Sequence, residues 1–222
     1  DRLRKGNDLL SILDLSKWDI LHILELADFY SFRTRCSDFS NKFAALCFFE
    51  PSTRTYMSFD LAMKYQFGIT TGFNSSESTS IMKGESFEDT IKTIDSYGVD
   101  IIVIRHPDSK SVKIAADIAN SPIINAGNGS DQHPTQTLID LYTIRNKKGT
   151  LENLNVAILG DLKNSRTAHS LILGLRHFIN EIYLVSPKEL MLQGIYQKEL
   201  EKEKKKINLS KDINEIIGEL DV

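Results

Sequence analysis

Phe43-Ala44-Ala45-Leu46-Cys47-Phe48-Phe49-Glu50-Pro51-Ser52-Thr53-Arg54-Thr55 is the stretch on which the fold turns. Its first seven residues are all apolar, too few for a buried helix and well suited to a strand covered on both faces. The run stops at Glu50-Pro51, after which Met57, Phe59, Leu61, Ala62 and Tyr65 recur at helical spacing until Gly68. A covered strand that feeds straight into a helix is the building block of a parallel sheet with crossover helices.

The same alternation continues along the chain. Ile101-Ile102-Val103-Ile104 reads as a second covered strand, followed by a helix from Val112 to Ala119, and Pro122-Ile123-Ile124-Asn125 as a third, followed by a helix from His133 to Arg145. Between the first strand–helix pair and the second, Asn74 to Ser80 is almost all hydroxyl or polar. It reads as an exposed loop to Lys83-Gly84, with a helix from Glu88 to Tyr97 after it. Beyond a break at Gly149-Thr150, a second series sets strands at Val156–Leu159 and Ile182–Val185 against helices at about 166–177 and a polar one through Lys206. Upstream, about 40 residues read as helical, from Leu9, Leu10, Ile12 and Leu13 through a start signal at Asp14-Leu15-Ser16, with Ser16 as N-cap. The expected fold class is α/β, with two successive domains, each a parallel sheet flanked by helices.

The chain has 222 residues, between one large domain and two small ones, and its 41% hydrophobic and 26% charged residues are those of a folding globular chain. A net charge of −3 provides no general positive field for a nucleic-acid backbone. The Glu199 to Lys206 run interleaves its signs and reads as a solvated helix face rather than a nucleic-acid patch. No apolar run of about 18 residues marks a membrane span, and Asp1 to Asp8 mix charges unlike a signal peptide. Cys36 and Cys47 stand without a CxxC pattern, as expected of reduced thiols in the cytoplasm, and Asn-x-Ser at Asn74, Asn128 and Asn208 reads as chance.

In parallel sheets ligands gather at the carboxyl ends of strands, and the polar chemistry of this chain falls there. Ser52, Thr53, Arg54 and Thr55 open a helix whose first N–H groups lack intrahelical partners, so an anion is stabilised there, and Arg54 adds a forked charge for phosphate. A plain helix cap with a surface arginine is the alternative. Arg105 ends the second strand, where a solvated terminus is the competing reading. His133-Pro134-Thr135-Gln136 starts a helix with His133 and Gln136 on one face, or is merely a structural cap. Gly160-Asp161-Leu162-Lys163-Asn164-Ser165-Arg166-Thr167-Ala168-His169-Ser170 follows another covered strand. Together these clusters describe a crevice for a small polyanion. Neither a metal-ligand set nor a Walker motif stands out, and Gly127-Asn128-Gly129 has Gln132 where a dinucleotide fingerprint needs its third glycine.

With these residues in hand, the sequence resembles the carbamoyltransferase family over nearly its whole length. Ser52-Thr53-Arg54-Thr55 and His133-Pro134-Thr135-Gln136 match signatures shared by its members. Asn125-Ala126-Gly127-Asn128-Gly129 before Gln132, and Gly160-Asp161-Leu162-Lys163 with Arg166-Thr167-Ala168-His169-Ser170, are similar to the aspartate branch. The resemblance implies transfer of the carbamoyl group of carbamoyl phosphate to the α-amino group of L-aspartate, a step of pyrimidine biosynthesis. No cofactor and no metal are implied. Ser52, Thr53, Arg54 and Thr55 would hold the phosphate; Thr55, Arg105 and His133 would meet the carbonyl oxygen; Gln136 would contact the carbamoyl amino group. Arg166 would bind the aspartate α-carboxylate, and Glu50 would pair with such arginines in a closed form. Ser80 and Lys83 match residues donated by a neighbouring subunit, which implies a homotrimer with shared active sites in the cytoplasm. Some members also assemble with a zinc-bearing regulatory chain.

The sequence departs from the family at Tyr56, where a second arginine is common, and at Asp60, where glutamate is usual. Members continue past Leu220-Asp221-Val222 to a further arginine and glutamine for aspartate, a His-Pro-Leu-Pro loop and a returning helix. The implied division is therefore a carbamoyl-phosphate-binding domain over 1–132, a connecting helix and linker over 133–149, and a truncated aspartate-binding domain over 150–222. Other readings remain: a truncated or inactive form that only binds carbamoyl phosphate, a transferase for another amino acid such as ornithine, or a homologue acting only through subunit contacts.

Overall fold

The structure, a computed structural model, describes residues 7–31, 37–178, 181–202 and 207–222. Cys36 and the Glu203 to Lys206 end of the charged run lie outside the described residues. The elements are α1 (Lys17–Ser31), β1 (Phe43–Phe48), α2 (Thr53–Tyr65), β2 (Ile69–Phe73), α3 (Phe87–Ser96), β3 (Ile101–His106), α4 (Ser111–Ile118), β4 (Ile123–Asn128), α5 (Pro134–Lys148), β5 (Asn155–Leu159), α6 (Arg166–Leu175), β6 (Glu181–Val185), α7 (Gly194–Lys202) and β7 (Ile207–Ser210). They fall into two compact units that are not contiguous in sequence: residues up to Leu10 with Asp28–Gly129, and Ser11–Ala27 with Ser130–Val222.

The first unit holds a parallel sheet in the order β2-β1-β3-β4. Alternate residues of β1 and of its continuation to Phe49 serve two cores, as a doubly covered strand must. Ala45, Cys47 and Phe49 pack with residues of α3 and α4, whereas Ala44, Leu46 and Phe48 pack with Tyr56, Phe59 and Met63 of α2. The second unit holds the parallel sheet β5-β6-β7, with α5, α6 and the N-terminal part of α1 supplying Leu141, Ile172 and Ile20 to its core.

Ser16 caps α1 as expected: the Asp19 N–H donates to Ser16 Oγ at 3.2 Å, and the Ser16 N–H donates to the Asp19 carboxylate at 2.8 Å, a reciprocal capping box. The helical reading fails for the residues just upstream. Leu9 and Leu10 are extended, and Leu9 exchanges bonds of 2.9 Å with Ile123 and Asn125 along the outer side of β4. The open edge of β4 offers backbone partners that a few apolar residues before Asp14 cannot supply to themselves.

Two strands escape the sequence pattern. β2 is an edge strand with Thr70, Thr71 and Gly72 in its middle, so no apolar run marks it. Gly72 pairs with Leu46 at φ +140°, and a Cβ there would sit 2.1 Å from the Leu46 carbonyl oxygen, so the approach of β2 to β1 requires glycine. β7 is likewise short and half-exposed. The hydroxyl-rich loop folds into two short 3-10 turns, Ser76–Ser78 and Ser80–Lys83. The Asp221 N–H and the Val222 carbonyl bond to Asn155 and Ala157 at 2.9 Å, so the segment at 220–222 runs along β5.

Candidate functional site

In the first unit the chain passes from β1 to β2 on one side and then crosses back to β3 on the other, so the strand order reverses between β1 and β3. Open parallel sheets bind ligands outside the carboxyl ends of such a pair. Those ends carry Glu50 and Arg105. Arg105 lies opposite Phe48 in the ladder, and its carbonyl accepts the Phe49 N–H at 2.8 Å.

The Arg105 guanidinium donates to Glu50 Oε1 at 2.8 Å, with the arginine side chain only 12% exposed and the carboxylate 33%. Arg105 Nε is buried and makes no hydrogen bond. A buried unpaired N–H is costly, so this donor is poised for an acceptor supplied from outside the chain. The solvated-terminus reading of Arg105 does not describe this geometry.

Three residues after Phe49, Ser52 adopts the extended backbone of an N-cap, yet its hydroxyl makes no capping bond. The Ser52 N–H is instead held by the Asn74 side-chain oxygen at 3.0 Å. The plain-cap alternative therefore lacks the bond that defines it. The first turn of α2 contains no acidic residue, which leaves the helix dipole and the Arg54 charge unopposed there. Thr53 and Arg54 are exposed, Ser52 and Thr55 half-buried. Asn74, read as a chance sequon, thus holds the backbone just before α2, and Asn128 is 2% exposed, closed to a bulky modification. Ser80 and Lys83, also in this unit, are exposed on their 3-10 turn.

Two other groups of this unit lie close to these residues in sequence or strand register. His106 packs between the rings of Phe49 (5.0 Å) and Phe87 (4.9 Å). Burial holds its pKa below the ordinary value, against smaller opposite pulls from Asp108 and Glu50. Cys47 is a free buried thiol whose pKa burial pushes up to about 12, so it stays protonated and is no nucleophile.

The second unit carries the remaining candidates. His133 occupies the cap position of α5, 5% exposed, with Nδ1 3.3 Å from Thr135 Oγ1. The Gln136 amide donates to Asp140 Oδ1 one turn on at 2.9 Å, which orients it. Asp140 is pushed above its ordinary range by burial, partly offset by that bond. Gly127-Asn128-Gly129 belongs to the first unit and ends β4; α5 starts only at Pro134, so no dinucleotide-type helix opens from the glycines.

Arg166 is the first residue of α6, half-exposed, behind a Ser165 cap that accepts the Ala168 N–H at 3.3 Å. Before it, Asp161 folds the turn by accepting from Asn164 and Lys163, which holds its pKa below the ordinary range. Ser170 is a residue that sequence reading quoted without a role. Fully buried, it meets the His133 backbone at 2.7 Å. Among the described residues no group of three or more His, Cys, Asp or Glu could hold a metal ion.

Residues 7–146 match the model of the family described as aspartate/ornithine carbamoyltransferase, carbamoyl-P binding domain. The chain is 45% identical over 222 residues to the aspartate carbamoyltransferase catalytic subunit of Thermococcus onnurineus, covering 98% of this chain and 71% of the relative. It is 40% identical to that of Pyrobaculum islandicum, with 98% and 72% covered. Among solved structures it is similar to aspartate transcarbamoylase from Trypanosoma cruzi in complex with carbamoyl phosphate and aspartate: TM-score 0.89, 33% identity, 96% of this chain and 70% of that one. The M. jannaschii catalytic subunit gives a TM-score of 0.84 at 40% identity, over 94% and 69%.

Proposed function

The chain belongs to the aspartate/ornithine carbamoyltransferase family, and from that membership we infer that it transfers the carbamoyl group of carbamoyl phosphate to the α-amino group of L-aspartate, giving N-carbamoyl-L-aspartate and phosphate. The observation that supports this reading best lies at the reversal of strand order. The Glu50–Arg105 pair, with its buried unpaired Nε donor, stands at the ends of the strands flanking the start of α2.

The chemistry assigns the roles. Phosphate carries the most charge of the two substrates, and the start of α2 offers it backbone N–H groups, the Ser52, Thr53 and Thr55 hydroxyls and the Arg54 fork. As the amine attacks the carbamoyl carbon, negative charge grows on the carbonyl oxygen. Arg105, Thr55 and His133 are assigned to it as donors, each typically worth about 3–4 kcal/mol when the charge develops. Gln136 holds the carbamoyl amino group, and Arg166 the α-carboxylate of aspartate. Glu50 keeps the Arg105 fork oriented before substrate arrives, so little reorganisation is needed. The C–O bond to phosphate then breaks, and the departing phosphate accepts the proton of the former amine. Neither metal nor organic cofactor has a task in this sequence.

The functional division follows: carbamoyl phosphate to the segment 1–132, aspartate to 150–222, joined by 133–149. Ser80 and Lys83 serve a neighbouring copy in a homotrimer, a role that fits their exposure beside Met82, 67% exposed. Tyr56 and Asp60 keep to packing and to Lys64 and Thr70 rather than to phosphate. The cytoplasm, home of such a pathway and of free thiols like Cys47, is the proposed location; no helix among the described residues is long and apolar enough to cross a membrane.

The test is product analysis with isotopically labelled carbamoyl phosphate and either aspartate or ornithine. Labelled carbamoyl aspartate and phosphate should form in equal amounts, with no labelled product from ornithine. Robust turnover of ornithine would overturn the assignment of the acceptor.

A further inference from the structure

Asn125-Ala126-Gly127-Asn128 ends β4 of the first unit, and carbamoyl transfer as assigned above gives these residues no task. The ladder between β3 and β4 is irregular there. Ile104 pairs with Asn125 and His106 with Asn128, so two residues, Ala126 and Gly127, stand opposite Arg105 alone. This is a β-bulge, a device that bends its strand and re-aims neighbouring side chains. Gly127 takes φ +111° within it, a backbone that residues with a Cβ rarely adopt.

Asn125, fully buried, holds the bulge in shape. Its Oδ1 accepts the Gly127 N–H at 2.8 Å, and its Nδ2 donates to the Leu10 carbonyl at 2.7 Å and to Asn128 Oδ1 at 2.8 Å. A backbone N–H can only donate and a carbonyl only accept, so the main chain itself fixes which way this amide points. Just beyond, the Gly129 N–H donates to the His106 carbonyl at 2.8 Å and the Asn128 amide to the Ser109 carbonyl, which ties β4 to the turn after β3.

The bulge presents the Ala126 carbonyl to Arg105 Nη1 at 3.5 Å, while Nη2 donates to Glu50 at 2.8 Å. A guanidinium is flat and rigid, so an oxygen at each terminal nitrogen fixes the whole plane and with it the direction of the unpaired Nε. Of the two oxygens, that of Glu50 sits on a flexible side chain a third exposed, whereas that of Ala126 belongs to a buried stretch of main chain. We propose that Asn125 is a positioning residue: by holding the β4 bulge it sets the Ala126 carbonyl against Arg105, and so fixes the guanidinium for the carbamoyl oxygen. The inference rests on the role given above to Arg105.

The test is a double-mutant cycle in the full chain, read by steady-state kinetics and thermal melting. Asn125→Ala takes away the acceptor of the Gly127 N–H and should lower kcat about tenfold, with KM for aspartate within about twofold. In an Arg105→Ala background the same substitution should change kcat by less than about twofold, because the group it sets is gone. Ile123→Val, at a fully buried position of the same strand, should lower Tm with kcat within about twofold in either background. Equal losses of kcat from Asn125→Ala in both backgrounds, or no loss in the wild-type one, would overturn the positioning role alone. Wild-type kcat in Arg105→Ala would overturn the role of Arg105, and absence of carbamoyl aspartate from the wild-type chain the transfer reading, each taking this inference with it. Should Asn125→Ala not fold, Gly127→Ala strains the bulge at φ +111° with Asn125 in place and is read in the same cycle.

Discussion

Arg105 shows how one residue is prepared by its neighbours. It stands next to last in β3, after the buried Ile102, Val103 and Ile104, at the carboxyl edge of the sheet, where Glu50 holds it at 2.8 Å. The buried, unpaired Nε carries the cost of one unmade hydrogen bond, which an anionic oxygen bound there, as proposed, would return. Arg105→Ala should therefore lower kcat by about 10²–10³-fold. Melting should shift little, because the Glu50 carboxylate, a third exposed, can rehydrate. Arg105→Lys, which keeps the charge but loses the fork, should recover only part of the rate. An Arg105→Ala enzyme with wild-type kcat would remove the arginine from the reaction. The pairing itself was not legible in the sequence. Glu50 and Arg105 are each visible as strand-end charges, but their meeting depends on the parallel register that sets Phe48 opposite Arg105.

Among the elements, the β1–α2 pair was read correctly because its strand is buried on both sides and its helix starts with a run of hydroxyls. β2 was not, because an edge strand needs no apolar run and Gly72 looks like a loop until its contact with Leu46 is seen. The extended segment at Leu9 was misread for the complementary reason: its partners are backbone groups of β4, which leave no trace in its own residues. The close packing of α6 against α5 was invisible too. A Cβ on Gly174 would come within 2.6 Å of Thr137 Cγ2.

His106 belongs to this scale, because it wedges β3 between Phe49 and α3. Its pKa in the folded protein lies below the ordinary 6.5 because burial outweighs the nearby carboxylates. Between the folded value and about 6.5 the unfolded chain binds more protons, so stability rises with pH there. The contribution is complete above about 6.5 and is lost as pH falls through that window. Urea midpoints measured from about pH 5 to 7.5 should show this slope, and His106→Gln should flatten it. A slope unchanged by the substitution would assign it to other groups.

At the scale of the molecule, two parallel sheets were legible from the alternation of short apolar runs with helices, and the family from motifs at separated strand ends. The non-contiguous units were not, because the packing of Ser11–Ala27 with the second unit rests on contacts of Ile12, Ile20 and Leu24 far along the chain. The chain spans 71% of the length of its Thermococcus onnurineus relative, and the first unit contains every residue assigned to the phosphate. That makes the central claim, a carbamoyl-phosphate cradle at the start of α2, open to a single measurement on the full chain. Calorimetric titration of carbamoyl phosphate should give saturable binding at one site per chain in the wild type. In Arg54→Ala, an exposed substitution that leaves the core intact, binding should be at least about tenfold weaker. Equal affinity in the two proteins would contradict the account.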